Sequence, residues 1–123
     1  MAKILIVDDD ENATFLLESM LRGDRYEVFA TNDSGQALEM ASRIRPDLII
    51  LDLVMPEPTG FQICRLLRED IRFLFTPIII VTALGTTDSM VVAVGAGADE
   101  YLRKPVLVEK LKETVETLLQ GRG

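Results

Sequence analysis

Five residues in this chain carry side chains that could do chemistry at one place: Asp8, Asp9, Asp52, Thr82 and Lys104. Each stands at the end of an apolar run. Ile4-Leu5-Ile6-Val7 precedes Asp8, Leu48-Ile49-Ile50-Leu51 precedes Asp52, Ile78-Ile79-Ile80-Val81 precedes Thr82, and a short run through Leu102 precedes Lys104. Three carboxylates brought together repel and raise one another's pKa. A hard divalent cation, Mg²⁺ or Mn²⁺, removes that conflict, since Mg²⁺ favours one or two carboxylates, waters and a phosphate oxygen. A carboxylate beside such a cation, a hydroxyl and an ammonium is equipped to accept a phosphoryl group as an acyl phosphate. Asp52 is the best nucleophile candidate because it stands alone at its strand end. Taken singly, Asp8-Asp9-Asp10 reads as a helix N-cap with solvated acids, Lys104 as a surface lysine and Thr82 as an ordinary strand residue. Their coincidence at strand ends is what points to chemistry.

The elements that must position these residues follow in order. A strand over Lys3–Val7 leads through Asp10, an N-cap, into a helix from about Glu11 to Leu21 with Ala13, Leu16, Leu17, Met20 and Leu21 facing the core. A weaker strand covers Tyr26–Ala30, and Asp33-Ser34-Gly35 opens a helix carrying Ala37, Leu38 and Ala41. After Pro46 comes the strand at Leu48, which Pro56 stops. The spacing predicts a helix over Phe61–Arg68, a strand over Ile78–Thr82, a short helix near Ser89–Val94, a strand around Glu100–Leu102 and a last helix through Val108, Leu111, Val115 and Leu118. Strands and helices alternate five times, and the strands are continuously apolar, which predicts an α/β fold with a parallel sheet and helices on both faces. In such sheets ligands bind outside the carboxyl ends of the strands. With strand order 2-1-3-4-5 the three carboxylates converge there.

Composition narrows the chemistry further. The 123 residues, 1–123, are expected to form one domain with a sizeable core. Thirteen Lys and Arg against twenty Asp and Glu leave a net charge of −7, with no basic stripe for a phosphate backbone, so direct nucleic-acid binding is not expected. The chain has no histidine, which removes Ser-His-Asp and Cys-His triads and His-ligated zinc. Cys64 is alone, so a disulfide framework is excluded and a reducing cytoplasm is the expected location. No apolar run approaches ~18 residues, so no membrane insertion is expected.

Four stretches in order, Ile6-Val7-Asp8-Asp9-Asp10, Leu51-Asp52-Leu53-Val54-Met55-Pro56, Val81-Thr82-Ala83 and Gly97-Ala98-Asp99-Glu100-Tyr101-Leu102-Arg103-Lys104-Pro105, resemble the receiver domain of two-component response regulators. The resemblance covers essentially the whole chain. It implies the doubly wound, flavodoxin-like fold of the chemotaxis regulators, with strand order 2-1-3-4-5. It implies that Asp52 accepts a phosphoryl group from a phosphohistidine on a histidine kinase or histidine phosphotransfer protein. Asp8, Asp9, Asp52 and the backbone carbonyl of Val54 would hold Mg²⁺, Thr82 and Lys104 would contact the phosphoryl group, and Ala83 would keep access open. Tyr101 matches the aromatic switch position, and the Lys104–Pro105 bond is expected to be cis. Signalling is implied to run through the fourth helix, fifth strand and fifth helix to an output protein or domain, or to a homodimer. One departure is Thr59, where the family often has Asp before Gly60; Gly60 itself is expected to supply a positive φ.

Two apolar positions stand near the expected phosphoryl site. The resemblance implies that Val54 and Leu84, two residues after Asp52 and Thr82, flank the path of the water that hydrolyses the acyl phosphate; both are apolar here and neither can orient it, so slow autodephosphorylation is expected. Ser89-Met90-Val91-Val92-Ala93-Val94 is apolar nearly all round, which fits either deep burial or an exposed partner face. Phe73-Leu74-Phe75 is read as packing under the sheet edge. A rival reading is a haloacid-dehalogenase-like phosphohydrolase built on Asp8-Asp9-Asp10, but Asn12 stands where that pattern wants Thr or Val, and Asp52 would be idle. A receiver serving only as an interaction module is disfavoured because every acceptor-site residue type is present. A nucleotide-binding domain is disfavoured because no Gly-rich loop follows the first strand.

Overall fold

Three runs rich in isoleucine, leucine and valine form the inner strands of one five-stranded parallel sheet, with two more polar strands at its edges. A computed structural model describes residues 1–23 and 25–121; Asp24, Arg122 and Gly123 lie outside the described residues. The strands are β1 (Ala2–Val7), β2 (Tyr26–Thr31), β3 (Leu48–Leu51), β4 (Ile78–Thr82) and β5 (Glu100–Arg103), in the order β2-β1-β3-β4-β5. The helices are α1 (Glu11–Leu21), α2 (Ala37–Ile44), α3 (Gly60–Arg68), α4 (Thr87–Gly95) and α5 (Val108–Gly121). The anticipated α/β fold and strand order are what forms.

The alternation of side chains along each strand sends successive residues to opposite faces. Leu5, Val7, Ile49, Leu51, Ile78 and Ile80 pack with Ala37, Ala41, Ile63, Cys64, Leu67 and Ala93 on the side of α2, α3 and α4. Ile4, Ile6, Leu48, Ile50, Ile79 and Val81 pack with Leu17, Leu21, Leu111 and Val115 on the side of α1 and α5. Each fully buried Leu, Ile or Val among these contributes roughly 1.5–3 kcal/mol relative to exposure. Because both faces are covered, the inner strands β1, β3 and β4 have no polar alternation, and their polar residues are pushed to the strand ends. That is the physical reason the chemistry sits at one edge.

Local details depart from the sequence expectation in four places. In α1 the buried stripe is Thr14, Leu17 and Leu21, while Leu16 is exposed; its position on the helical wheel lies one step off the i, i+3, i+7 row. Helix α4 is longer than expected because Thr86, outside the apolar run, caps it by accepting from the Ser89 amide. Of Phe73-Leu74-Phe75, only Phe73 packs inward, and Phe75 is 85% exposed. Gly60 does not adopt positive φ; among the described glycines that role belongs to Gly23 and Gly97. Gly60 is needed for space, because an added Cβ would collide with the Asp52 carbonyl oxygen and come within 2.7 Å of the Leu53 Cα. Thr59 is the N-cap of α3 in a capping box with Gln62, which gives the departure at Thr59 a local purpose. Lys104–Pro105 is cis, as expected, and so is Glu57–Pro58.

Candidate functional site

The register of the sheet brings the strand ends together. Val7 of β1 lies opposite Leu51 of β3, so Asp8 and Asp52 emerge side by side, and the Asp52 amide donates to the Val7 carbonyl at 3.0 Å. Thr82 lies opposite Arg103, and the Lys104 amide donates to the Thr82 carbonyl at 2.8 Å. Asp8 and Asp52 are buried, and Thr82 is wholly so.

One ammonium bridges the two buried acids. Lys104 Nζ donates to Asp8 Oδ2 at 2.7 Å and to Asp52 Oδ2 at 3.3 Å. The other oxygen of Asp52 accepts from the Leu53 amide at 2.7 Å, so the carboxylate is held at both ends. The Asp10 amide does the same for Asp8 Oδ1 at 3.0 Å. Burial pushes the Asp8 pKa above the ordinary carboxylate value, helped by the charge of Asp52 and opposed by the hydrogen bonds from Lys104 and Asp10. Burial alone would lower the pKa of Lys104, but its hydrogen bond to Asp8 and the charges of Asp52 and Asp8 outweigh that and raise it.

Asp8, exposed Asp9 and Asp52 each offer a carboxylate oxygen, all within 4.8 Å of one another. That all-oxygen donor set fits a hard divalent cation. Asp10 is turned away as the N-cap of α1, its side chain accepting from the Asn12 amide at 2.9 Å. Val54 is 57% exposed, so it does not pack the rim, and Leu84 is half-buried. Tyr101 is half-buried against the α2–α4 side of the core, its hydroxyl donating to the Leu84 carbonyl at 2.6 Å.

Two supports were missed in the sequence. The Asn32 side-chain amide donates to the Asp8 carbonyl at 2.9 Å and to Thr14 Oγ1 at 3.0 Å, bracing the acidic loop from the end of β2. Buried Ser34 donates to the Pro56 carbonyl at 2.8 Å and braces the loop after Asp52. The signal was the polar cluster Asn32-Asp33-Ser34-Gly35, which reads equally well as helix-start chemistry.

Residues 4–116 match the family described as the response regulator receiver domain. This chain belongs to that family. Its similarity to the DNA-binding response regulator MtrA of Mycolicibacterium smegmatis is 36% identity over 118 residues, covering 96% of this chain and 50% of that protein. The DNA-binding dual master transcriptional regulator RpaA of Synechocystis is 38% identical over 120 residues, covering 98% of this chain and 50% of that one. The chain therefore spans about half the length of these relatives. The chemotaxis protein CheY4 of Vibrio cholerae superposes with a TM-score of 0.89 at 33% identity, covering 96% of this receiver and 98% of that chain. A response regulator receiver domain protein of Clostridium thermocellum superposes at 0.90 and 29% identity, covering 99% and 97%. As a receiver domain, the chain is a signalling domain, which removes the haloacid-dehalogenase-like alternative. No described helix is long and apolar enough to cross a membrane.

Proposed function

We propose that this receiver takes a phosphoryl group onto Asp52 from a phosphohistidine of a histidine kinase or phosphotransfer protein, with Asp8, Asp9, Asp52 and the Val54 carbonyl as the Mg²⁺-binding set. The observation that carries this reading is the Lys104 ammonium shared between Asp8 and Asp52 at the strand ends. Asp52 Oδ2, which faces Lys104, is the attacking atom. It bonds to phosphorus, the phosphorus–nitrogen bond breaks, and its electron pair stays on the imidazole, which leaves as the neutral ring when its other nitrogen carries a proton. Mg²⁺, when bound, offsets the charge of the phosphoryl oxygens. Lys104 follows the phosphoryl oxygens as Asp52 loses its own negative charge to the new bond. The Thr82 hydroxyl, at the end of β4, hydrogen-bonds a phosphoryl oxygen and Tyr101 stays inward in the phosphorylated state. Phosphorylation adds about −1.5 to −2 of charge, by analogy with other phosphoresidues, and biases a two-state surface.

That surface is the α4-β5-α5 face. Met90, Val91, Val92 and Val94 of α4 are all exposed, which supports the partner-face reading of this apolar helix over deep burial. The occupant is an output protein or domain, or a second copy of the chain. The net charge of −7 supports protein rather than nucleic acid as what this face receives. Lone, buried Cys64 is consistent with a cytoplasmic setting.

The test is phosphotransfer from candidate histidine kinases, and from acetyl phosphate, in the presence of Mg²⁺. One phosphoryl group is expected on the wild type and none on Asp52→Ala. Label retained by Asp52→Ala and mapped to Asp8 overturns the assignment.

A further inference from the structure

The inward pose of Tyr101 is held by more than the Leu84 carbonyl. Tyr101 Oη also lies 3.0 Å from Ser89 Oγ, in the first turns of α4. Ser89 Oγ in turn lies 2.9 Å from both the Thr86 hydroxyl and the Thr86 carbonyl. Counting hydrogens orders the chain. Tyr101 spends its only hydroxyl hydrogen on the 2.6 Å bond to Leu84, so the hydrogen between Ser89 and Tyr101 comes from Ser89. Thr86 donates to Ser89, giving the sequence Thr86, Ser89, Tyr101, Leu84, each hydroxyl donating to the next group.

We propose that Ser89 is a positioning residue for the switch: its hydroxyl latches Tyr101 inward and ties the ring to the start of α4. This rests on the phosphoacceptor reading only for its consequence, not for its geometry. Ser89 has one hydrogen and two acceptors in reach, Tyr101 Oη and the Thr86 carbonyl. When the ring turns outward, that hydrogen falls back to Thr86 within the same helical turn. Neither state leaves the serine hydroxyl unpaired, so the latch opens without stranding Ser89. Because Leu84 lies two residues from Thr82, the latch also fixes the loop that follows the phosphoryl-contacting hydroxyl.

The test uses Ser89→Ala, with Ser89→Thr as the conservative rescue. Alanine is the better helix former but also loses both Ser89 Oγ bonds to the N-cap Thr86, so the Tyr101→Phe background below separates the latch from the cap. Aromatic NMR of Tyr101 in the unmodified protein reads the latch directly. The ring signals are expected to shift toward the outward population in Ser89→Ala and to return in Ser89→Thr. Unchanged ring signals in Ser89→Ala overturn the proposal, whether or not the protein is ever phosphorylated. Beryllofluoride with Mg²⁺, a phosphoryl mimic, reads the consequence. Its apparent affinity is expected to fall on the order of three- to tenfold in Ser89→Ala, the worth of one hydrogen bond. In a Tyr101→Phe background the same change is expected to have no effect. An equal fall in both backgrounds overturns the latch, and a wild type that takes no beryllofluoride overturns the phosphoacceptor reading while the Tyr101 signals decide the latch alone.

Discussion

Lys104 Nζ sits between two buried carboxylates, 2.7 Å from Asp8 and 3.3 Å from Asp52, and is the cation that makes their proximity tolerable. Removing it leaves two like charges facing each other in a site of low dielectric. Lys104→Met is expected to lower stability by about 1–3 kcal/mol, less than a fully buried pair because the lysine side chain is 26% exposed. Mg²⁺ is expected to restore more stability to this variant than to the wild type, since a ligand of the folded state stabilises by mass action. Melting temperatures with and without Mg²⁺ check both; equal Mg²⁺ effects would count against the shared-cation account.

Val54 and Leu84 are expected to set how long the acyl phosphate lasts. Val54 projects into solvent beside Asp52 and offers no group to orient a water. The double change Val54→Asn with Leu84→Glu is expected to speed phosphate release on the order of tenfold or more, in the range of a positioned polar group. Release kinetics from the phosphorylated protein decide it, and an unchanged rate sinks the idea.

Gly60→Ala is expected to destabilise the fold by about 1–3 kcal/mol or more, as overpacking does. The new methyl group would meet backbone of Asp52 and Leu53, which cannot rotate away as a side chain would. Denaturant titration measures the loss. A neutral effect would mean the loop after β3 yields freely.

Asp70 supplies a pH dependence away from the site. Its side chain is bonded by the Arg72 guanidinium and amide, which holds its pKa down at about 2 against an ordinary value of 3.8. A lowered folded-state pKa means stability present above the unfolded value and lost as pH falls from about 3.8 through about 2. Asp70→Asn is therefore expected to be slightly less stable than wild type at neutral pH, with the gap closing below about 2. Chemical denaturation across that range would show it. The pair is solvent-exposed, so the effect is small.

How much of this was legible in the residues follows from where polarity is forbidden. Continuous runs such as Leu48–Leu51 have no polar face, so they had to be central parallel strands, and their terminal Asp8, Asp52 and Thr82 had to share an edge. What stayed hidden depends on close approach between distant segments. Gly60 looks like a turn glycine until the Asp52 carbonyl is seen beneath it. Leu16 looks like core because helical spacing tolerates a neighbouring position, and only docking of α1 on the sheet picks the stripe. Asn32 stands in a polar cluster that reads equally well as helix-start chemistry, and Ser89 in an otherwise apolar run; each matters through a partner 24 or 12 residues away.

The two ends of α4 are fastened very unequally. Just past its C-terminal end, Arg68 donates to the Gly97 carbonyl at 2.9 Å, to the Phe73 and Thr76 carbonyls at 2.7 and 2.8 Å, and to Asp99 at 2.8 Å. Asp99 also accepts from the Ile78 amide at 2.8 Å, which rivets that corner to β4. At the other end, the hydrogen bond to Tyr101 runs through one hydroxyl, that of Ser89. A nine-residue rod of about 13 Å held this way is expected to pivot at its Gly97 end rather than slide when the switch is thrown. Displacement is then expected to be smallest beside Gly97 and to grow toward Thr86, so a partner that reads the first turn of the helix is expected to feel the signal most strongly.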